Sequence, residues 1–160
     1  MQYPETVKVL RGIPLFAGFD PAKLKLLAFS STYLTLEGGE TLFHEGDPAD
    51  SVYLIDEGEA DIYTGQGEHE IKVAKLGKHG LVGEMAIFRN APRSATIRAA
   101  GPLQVLKIDG DVFLRVVTET PSAALTVMRI LSDKLAATTD DYERLKAASS
   151  APDQTAEPRR

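Results

Sequence analysis

The stretch that decides the fold runs Gly-Glu-Met-Ala-Ile-Phe-Arg-Asn-Ala-Pro-Arg-Ser-Ala-Thr over residues 83–96. Gly83 lets the backbone approach another group closely, and the residues after it suit one turn of helix whose free N–H groups point at an anion. Pro92 restricts the chain just before Arg93, and Ser94 places a hydroxyl beside the guanidinium. A helix start, an arginine and a hydroxyl in one loop predict an anion-binding segment.

Glu84 is out of place in a site that binds only an anion. A carboxylate is explained there if the ligand also presents a hydroxyl, such as a ribose 2′-OH, for which the carboxylate is an acceptor. The alternative is a buried ion pair between Glu84 and Arg93 that staples a surface loop. That explanation would be preferred for an isolated Glu and Arg, but it leaves Gly83 and residues 92–94 unexplained.

Short apolar segments separated by turn residues surround this stretch. Turn signals come about every ten residues, which is typical of an antiparallel β-barrel or jelly roll. Strands are predicted at residues 33–36, 41–44, 52–55, 60–63, 71–76, 95–99 and 103–108.

Helices are predicted before the barrel. Apolar residues at helical spacing precede a break at Pro14, because proline is not tolerated inside a helix. Asp20 and Pro21 then look like the cap and the first position of a second short helix.

Two helices are predicted after the barrel. Asp109 caps the first, and residues 120–122 end it and start a long helix to about Lys146. Residues 147–160 are polar and contain proline, which predicts a disordered tail. We therefore expect one α+β domain over residues 1–146, with the barrel over about 33–109 and the hinge and lid helices over about 109–146.

Composition limits the classes of function. The chain has 160 residues, 43% hydrophobic and 26% charged, which is ordinary for a globular protein. A net charge of −5 without a basic run argues against direct binding of nucleic acid. Without cysteine there is no disulfide or thiolate metal site. The absence of a signal segment and of an apolar run of about 20 residues favours the cytoplasm and no membrane contact.

Residues 83–87 and 92–96 resemble the phosphate-binding cassette of the cyclic nucleotide-binding domain family. That family includes the bacterial catabolite activator protein, the regulatory subunits of cAMP-dependent protein kinase and cyclic-nucleotide-gated channels. Residues 10–16 resemble the family's opening segment, and residues 45–58 resemble its second-to-third strand region. The resemblance covers roughly residues 5–145. It departs at Leu81-Val82, where the family often has an aromatic residue.

The resemblance implies a cyclic nucleotide as ligand and a role for each matching residue. Glu84 would bind the ribose 2′-OH, and Arg93 would bind a phosphate oxygen. The backbone N–H groups near Met85 and Ala86 would complete the phosphate cage together with the Ser94 hydroxyl. The apolar wall against the ribose and base would consist of Ile62, Val73 and Met85.

The last predicted helix carries a mostly apolar stripe at alternating spacings of three and four residues. Such a stripe is typical of a coiled-coil seam, but a helix that packs on its own barrel shows the same periodicity. The family uses this helix both as a pocket lid and as a dimer seam, and a polar residue inside the stripe favours a functional role. The stripe consists of Met128, Leu131, Leu135, Thr138, Tyr142 and Leu145.

The same helix bears on the choice of base. Thr138 and Thr139 resemble the hydroxyl pair with which the catabolite activator protein reaches adenine, one residue from each subunit. This resemblance favours cAMP, whereas Ser94 points to cGMP, because a hydroxyl after the arginine serves the guanine amino group in some sites. Tyr142 is an alternative lid that could stack on the base, although seam packing is the preferred explanation for an aromatic residue on a surface helix.

No helix-turn-helix domain, kinase, channel or cyclase segment follows the long helix in this sequence. We therefore expect a stand-alone sensor without enzyme activity, whose long helix and 118–122 hinge move on binding and signal to a protein effector. One alternative is a fragment of a larger regulator or channel. Another is a cupin-like metalloenzyme, which would need clustered histidines, whereas His44, His69 and His79 are scattered, so no metal is expected.

Overall fold

The N-terminal helices match the predicted pattern. The computed structural model describes the backbone of residues 3–155 and the side chains of residues 4–149. Helix α1 (Tyr3–Arg11) is followed by a 3₁₀ turn at Pro14–Phe16 and by helix α2 (Pro21–Phe29). Asp20 precedes α2 as predicted, but its side chain makes no capping hydrogen bond. The proline at the first helical position therefore defines this start.

The strands form two antiparallel sheets, as expected for a barrel or jelly roll. The first sheet has the order β1-β8-β3-β6 and the second the order β2-β7-β4-β5. The strands are β1 (Ser31–Leu36), β2 (Thr41–Phe43), β3 (Ser51–Glu57), β4 (Ala60–Thr64), β5 (Ile71–Leu76), β6 (Leu81–Val82), β7 (Thr96–Ala99) and β8 (Leu103–Asp109). The sequence pattern did not predict β6, because two residues are too few to show an alternation.

Strand β3 separates the two hydrophobic clusters of the core. Val52 and Leu54 pack with the helices in the first cluster, whereas Tyr53 and Ile55 pack between the sheets in the second. All four are buried, so the strand is a continuous apolar run without polar alternation. The first sheet is therefore covered by helices on one face and by the second sheet on the other.

Of the predictions for the helices after the barrel, the cap at Asp109 is confirmed and the end of the long helix is wrong. The Asp109 carboxylate accepts a hydrogen bond of 2.9 Å from the Val112 N–H and caps α4 (Gly110–Thr118), as predicted. Helix α5 (Pro121–Thr155) continues past the predicted end at Lys146, because the following alanines favour helix. Residues 147–155 of the predicted disordered tail are thus helical, and residues 156–160 lie outside the described residues.

None of the helices in the described part of the chain combines the length and the apolar character that crossing a membrane requires.

Candidate ligand-binding site

A short helix between β6 and β7 starts the site. Helix α3 (Glu84–Arg89) begins after Gly83, whose backbone is left-handed with φ of +83°, and ends at Asn90 with φ of +52°. A Cβ atom at position 83 would lie 2.6 Å from Nη1 of Arg93. Glycine is therefore needed at position 83 for both its conformation and the close approach of Arg93. The predicted single turn of helix is confirmed.

The Arg93 side chain lies beneath Gly83 and is buried, with 4% of its surface exposed. Its Nη1 donates to the Gly83 carbonyl oxygen at 2.9 Å, and its Nη2 donates to the Ser51 carbonyl oxygen at 2.9 Å. The Nε atom is buried without a hydrogen-bond partner. The Arg93 backbone N–H donates to the Asp47 carbonyl oxygen at 2.9 Å, so the loop before β3 holds the arginine in place.

The charge of Arg93 is not neutralised by a carboxylate. Among the residues with described side chains, no Asp or Glu forms an ion pair with it. Burial lowers the pKa of the guanidinium, and electrostatic interactions with Tyr53, Asp50 and Asp47 offset only part of that effect. An arginine stays protonated even so. A buried cation of this kind is costly without an anionic partner, so the position favours an anionic ligand.

Glu84 is buried with 2% of its surface exposed, and its carboxylate is bound by helix α5. Lys134 Nζ donates to Glu84 Oε2 at 2.6 Å and to the Leu81 carbonyl oxygen at 3.2 Å. The alternative of a Glu84–Arg93 ion pair is therefore wrong for this structure, since the carboxylate pairs with Lys134. Glu84 and Arg93 are thus both buried but bind different partners.

Three residues that contact this pair were not predicted from the sequence. Lys134 lies 50 residues beyond Glu84 in the chain, and no local spacing marks it. Phe43 and Tyr53, whose rings lie against Arg93, occur as ordinary apolar strand residues. Contacts of this range arise from the packing of sheets and helices, so a pattern of neighbouring residues contains no signal for them.

The other cassette residues differ in exposure. Ala86 is buried, Ser94 is exposed and Met85 is 43% exposed. On the neighbouring strands, Ile62 is half-buried against the second core cluster, whereas Val73 on β5 is 49% exposed. Two of the three side chains predicted to form the apolar wall, Met85 and Val73, are therefore substantially exposed to solvent.

The predicted base-binding residues of α5 are exposed to solvent. Thr138 is exposed, and its hydroxyl donates to the Lys134 carbonyl oxygen of its own helix at 2.9 Å. Thr139 is exposed, and Tyr142 is 61% exposed. Thr138 lies one helical turn beyond Lys134, on the same side of the helix. A single chain therefore brings Lys134 to the cassette and leaves Thr138, Thr139 and Tyr142 open to solvent.

The two-sheet barrel, with a buried glutamate at the start of an inserted short helix and a buried arginine in the loop that follows it, defines a small-ligand binding domain. The family model described as "Cyclic nucleotide-binding domain" matches residues 33–120. The chain belongs to the cyclic nucleotide-binding domain family, as the resemblance implied.

Known proteins similar to this chain include regulatory subunits and sensors. The cAMP-dependent protein kinase regulatory subunit of Colletotrichum orbiculare is 34% identical over 106 residues, which are 66% of this chain and 27% of that protein. The sensor domain of the transcriptional regulator DNR from Pseudomonas aeruginosa has a TM-score of 0.74 and 26% identity, with 86% of this chain and 93% of that chain covered.

The regulatory domain of Toxoplasma gondii PKA, solved with cAMP, shares the fold. Its TM-score is 0.71 at 21% identity, and the match covers 81% of this chain and 50% of that one. This chain spans about a quarter of the length of the curated kinase regulatory subunits that it matches.

Within the described residues, no group of three or more His, Cys, Asp or Glu side chains could hold a metal ion.

Proposed function

We propose that this chain is a regulatory sensor, without catalytic activity, that binds a cyclic nucleotide and prefers cAMP to cGMP. The observation that carries the proposal is the buried guanidinium of Arg93, which has no carboxylate partner among the described residues and lies beneath the first turn of α3. A cyclic phosphate diester carries a single negative charge, which matches this single cation.

The cassette supplies groups for both polar parts of such a ligand. Arg93 would form a charge-assisted hydrogen bond to a phosphate oxygen, and the Ser94 hydroxyl with the N–H groups near Met85 and Ala86 would complete the cage. Glu84 would accept a hydrogen bond from the ribose 2′-OH. The apolar wall against the ribose and base would consist of Ile62, Val73 and Met85, two of which are substantially exposed.

The contact between Glu84 and Lys134 connects the site to α5 and supports a route for the signal. A ribose hydroxyl that binds Glu84 would compete with Lys134 for the same carboxylate. The ligand would therefore favour an arrangement of α5 in which the Lys134 contact is lost. A ligand shifts a conformational equilibrium only through such a preference. The backbone at residues 118–122, between α4 and α5, is the hinge for that movement, and a protein effector would read the new position.

A homodimer through α5 would account for its exposed stripe. Met128, Leu135, Tyr142 and Leu145 are between 60% and 71% exposed, and their spacing suits a coiled coil. The second copy would place Thr138 or Thr139 near the base, which supports adenine as the base. Sedimentation of the wild type against Leu135→Asp tests this seam: we expect the wild type to be a dimer and the variant a monomer. A monomeric wild type with ligand bound would overturn it.

Calorimetric titration with cAMP, cGMP and 5′-AMP tests the function. We expect cAMP to bind more tightly than cGMP, and 5′-AMP to bind much more weakly, because its open phosphate carries an additional charge. 5′-AMP is the matched control, since it keeps the base, the ribose and a phosphate. Flat traces with both cyclic nucleotides would contradict the proposal, and a tighter complex with cGMP would reverse the base preference.

A further inference from the structure

Two aromatic rings lie against the guanidinium of Arg93. Phe43 at the end of β2 and Tyr53 in β3 belong to different sheets, and their ring centroids are 5.7 Å apart with an interplanar angle of 37°. The Cζ atom of Arg93 lies 4.1 Å from the Phe43 ring centroid and 5.6 Å from the Tyr53 ring centroid. Both distances are within the range of a cation–π interaction.

The stack lies inside the protein. Phe43 is 8% exposed, Tyr53 is 6% exposed and Arg93 is 4% exposed. Cation–π attraction is strongest where water does not compete with it, because the ring quadrupole then replaces part of the lost hydration. The rings therefore offset part of the cost of burying the Arg93 charge.

An aromatic ring stabilises a cation differently from a carboxylate. A carboxylate neutralises the charge, whereas the ring face attracts it and leaves it available to a further anion. Arg93 combines this support with carbonyl acceptors at Gly83 and Ser51, which are also uncharged. Its immediate partners thus orient the guanidinium and leave its full positive charge in place.

The space around the guanidinium is tightly filled. A Cβ atom at Gly83 would lie 2.6 Å from Nη1 of Arg93 and 3.4 Å from Cε2 of Phe43. Gly83, the guanidinium and the Phe43 ring are therefore closely packed against one another. Removing the ring removes one of these contacts.

We propose that Phe43 and Tyr53 are positioning residues that hold the Arg93 guanidinium beneath the cassette in a charged state without a carboxylate partner. The guanidinium that a cyclic phosphate would bind is then held as a cation whose charge no carboxylate neutralises. The ligand in this inference rests on the proposed function, whereas the support of Arg93 by the rings is a property of the ligand-free protein.

Three variants separate positioning from general packing. Phe43→Leu keeps an apolar side chain but removes the ring, and Phe43→Tyr keeps the ring. Phe16→Leu is the matched control, because Phe16 is fully buried in the other core cluster. We expect Phe43→Leu to weaken cAMP binding about 10-fold, a loss of the size that a desolvated cation–π contact supplies. Phe43→Tyr should bind within about twofold of the wild type, and Phe16→Leu should lower the Tm without changing the Kd.

NMR of the arginine Nε–Hε group tests the stack without ligand. A proton held near the face of an aromatic ring is shifted upfield, so the Arg93 signal, assigned by its loss in Arg93→Lys, should be shifted in the wild type and in Phe43→Tyr. In Phe43→Leu it should move towards the ordinary arginine position. Should Phe43→Leu leave this signal unmoved and bind cAMP like Phe16→Leu, the positioning role is overturned. A signal that moves in a protein that binds no cyclic nucleotide would support the ring stack and overturn the proposed ligand.

Discussion

Arg93 and Arg98 lie close together in the chain, and each guanidinium lies over an aromatic ring. They differ in their hydrogen-bond partners: Arg98 binds a carboxylate and Arg93 does not. Arg98 is 4.6 Å from the Tyr63 ring centroid and forms two hydrogen bonds to the Glu70 carboxylate, of 3.0 and 3.2 Å. Arg93 is more deeply buried and has only neutral hydrogen-bond acceptors. Arg98 thus belongs to a surface ion pair, whereas the buried charge of Arg93 has no carboxylate partner among the described residues.

The pKa shifts have opposite directions at the two arginines. Hydrogen bonding to Glu70 raises the pKa of Arg98, and the same contact lowers the pKa of Glu70. Burial lowers the pKa of Arg93. A group whose charged form is destabilised by burial and lacks a close counter-ion is typical of a functional site, and a mutually stabilised pair is typical of a structural contact.

Removing each arginine should give the largest difference between the two regions. Arg93→Leu deletes charge-assisted hydrogen bonds worth about 1.5–3 kcal/mol each and should weaken cAMP binding about 10–100-fold or more. Arg98→Leu is the control that removes the same charge from the outward side of β7, and its Kd should stay within about threefold. Calorimetry with both variants checks this expectation. Equal losses would mean that net charge, and not the position of Arg93, governs binding.

Replacing Lys134 should change the affinity in the opposite direction. Lys134→Met removes the competitor for the Glu84 carboxylate, so cAMP binding should tighten about 2–10-fold. Hydrogen exchange of α5 amides should also respond less to cAMP in the variant than in the wild type, because the link between site and helix is gone.

The matched control for this change is Lys78→Met, since Lys78 pairs with Glu57 on the surface, away from the cassette. Its affinity and its exchange response should equal those of the wild type. Weaker binding by Lys134→Met would show instead that Lys134 contacts the ligand, and the competition would then be refuted.

The smallest expected effect is a change in thermal stability when Glu70 is replaced. The folded protein holds the pKa of this carboxyl below its ordinary value of 4.5, because Arg98 hydrogen-bonds to it. The resulting stabilisation is complete above the ordinary pKa and is lost as the pH falls through the lowered one. Glu70→Gln should therefore lower the Tm slightly at neutral pH, and the difference in Tm should shrink as the pH falls below the ordinary pKa of 4.5. A difference independent of pH would contradict this assignment, and cAMP affinity at neutral pH should not change.

The elements that the sequence predicted well are those with a local cause. Asp109 caps α4 because a carboxylate and the N–H three residues later are neighbours in the chain. Strand β3 was predicted because apolar residues follow one another at positions 52–55 between turn signals. The predictions that failed involve weak or distant signals: β6 is two residues long, and the end of α5 was placed at Lys146 although the following alanines continue the helix.

The sequence by itself determined the cassette: a glycine that tolerates a positive φ, one turn of helix, and an arginine placed after a proline. These features depend on backbone conformations that adjacent residues impose. Only the tertiary structure decided what the two charged side chains contact. Lys134 reaches Glu84 because α5 packs beside the barrel, and Phe43 and Tyr53 meet at Arg93 because two sheets face each other. Such contacts join residues far apart in the chain, so their geometry exists only once the layers have packed.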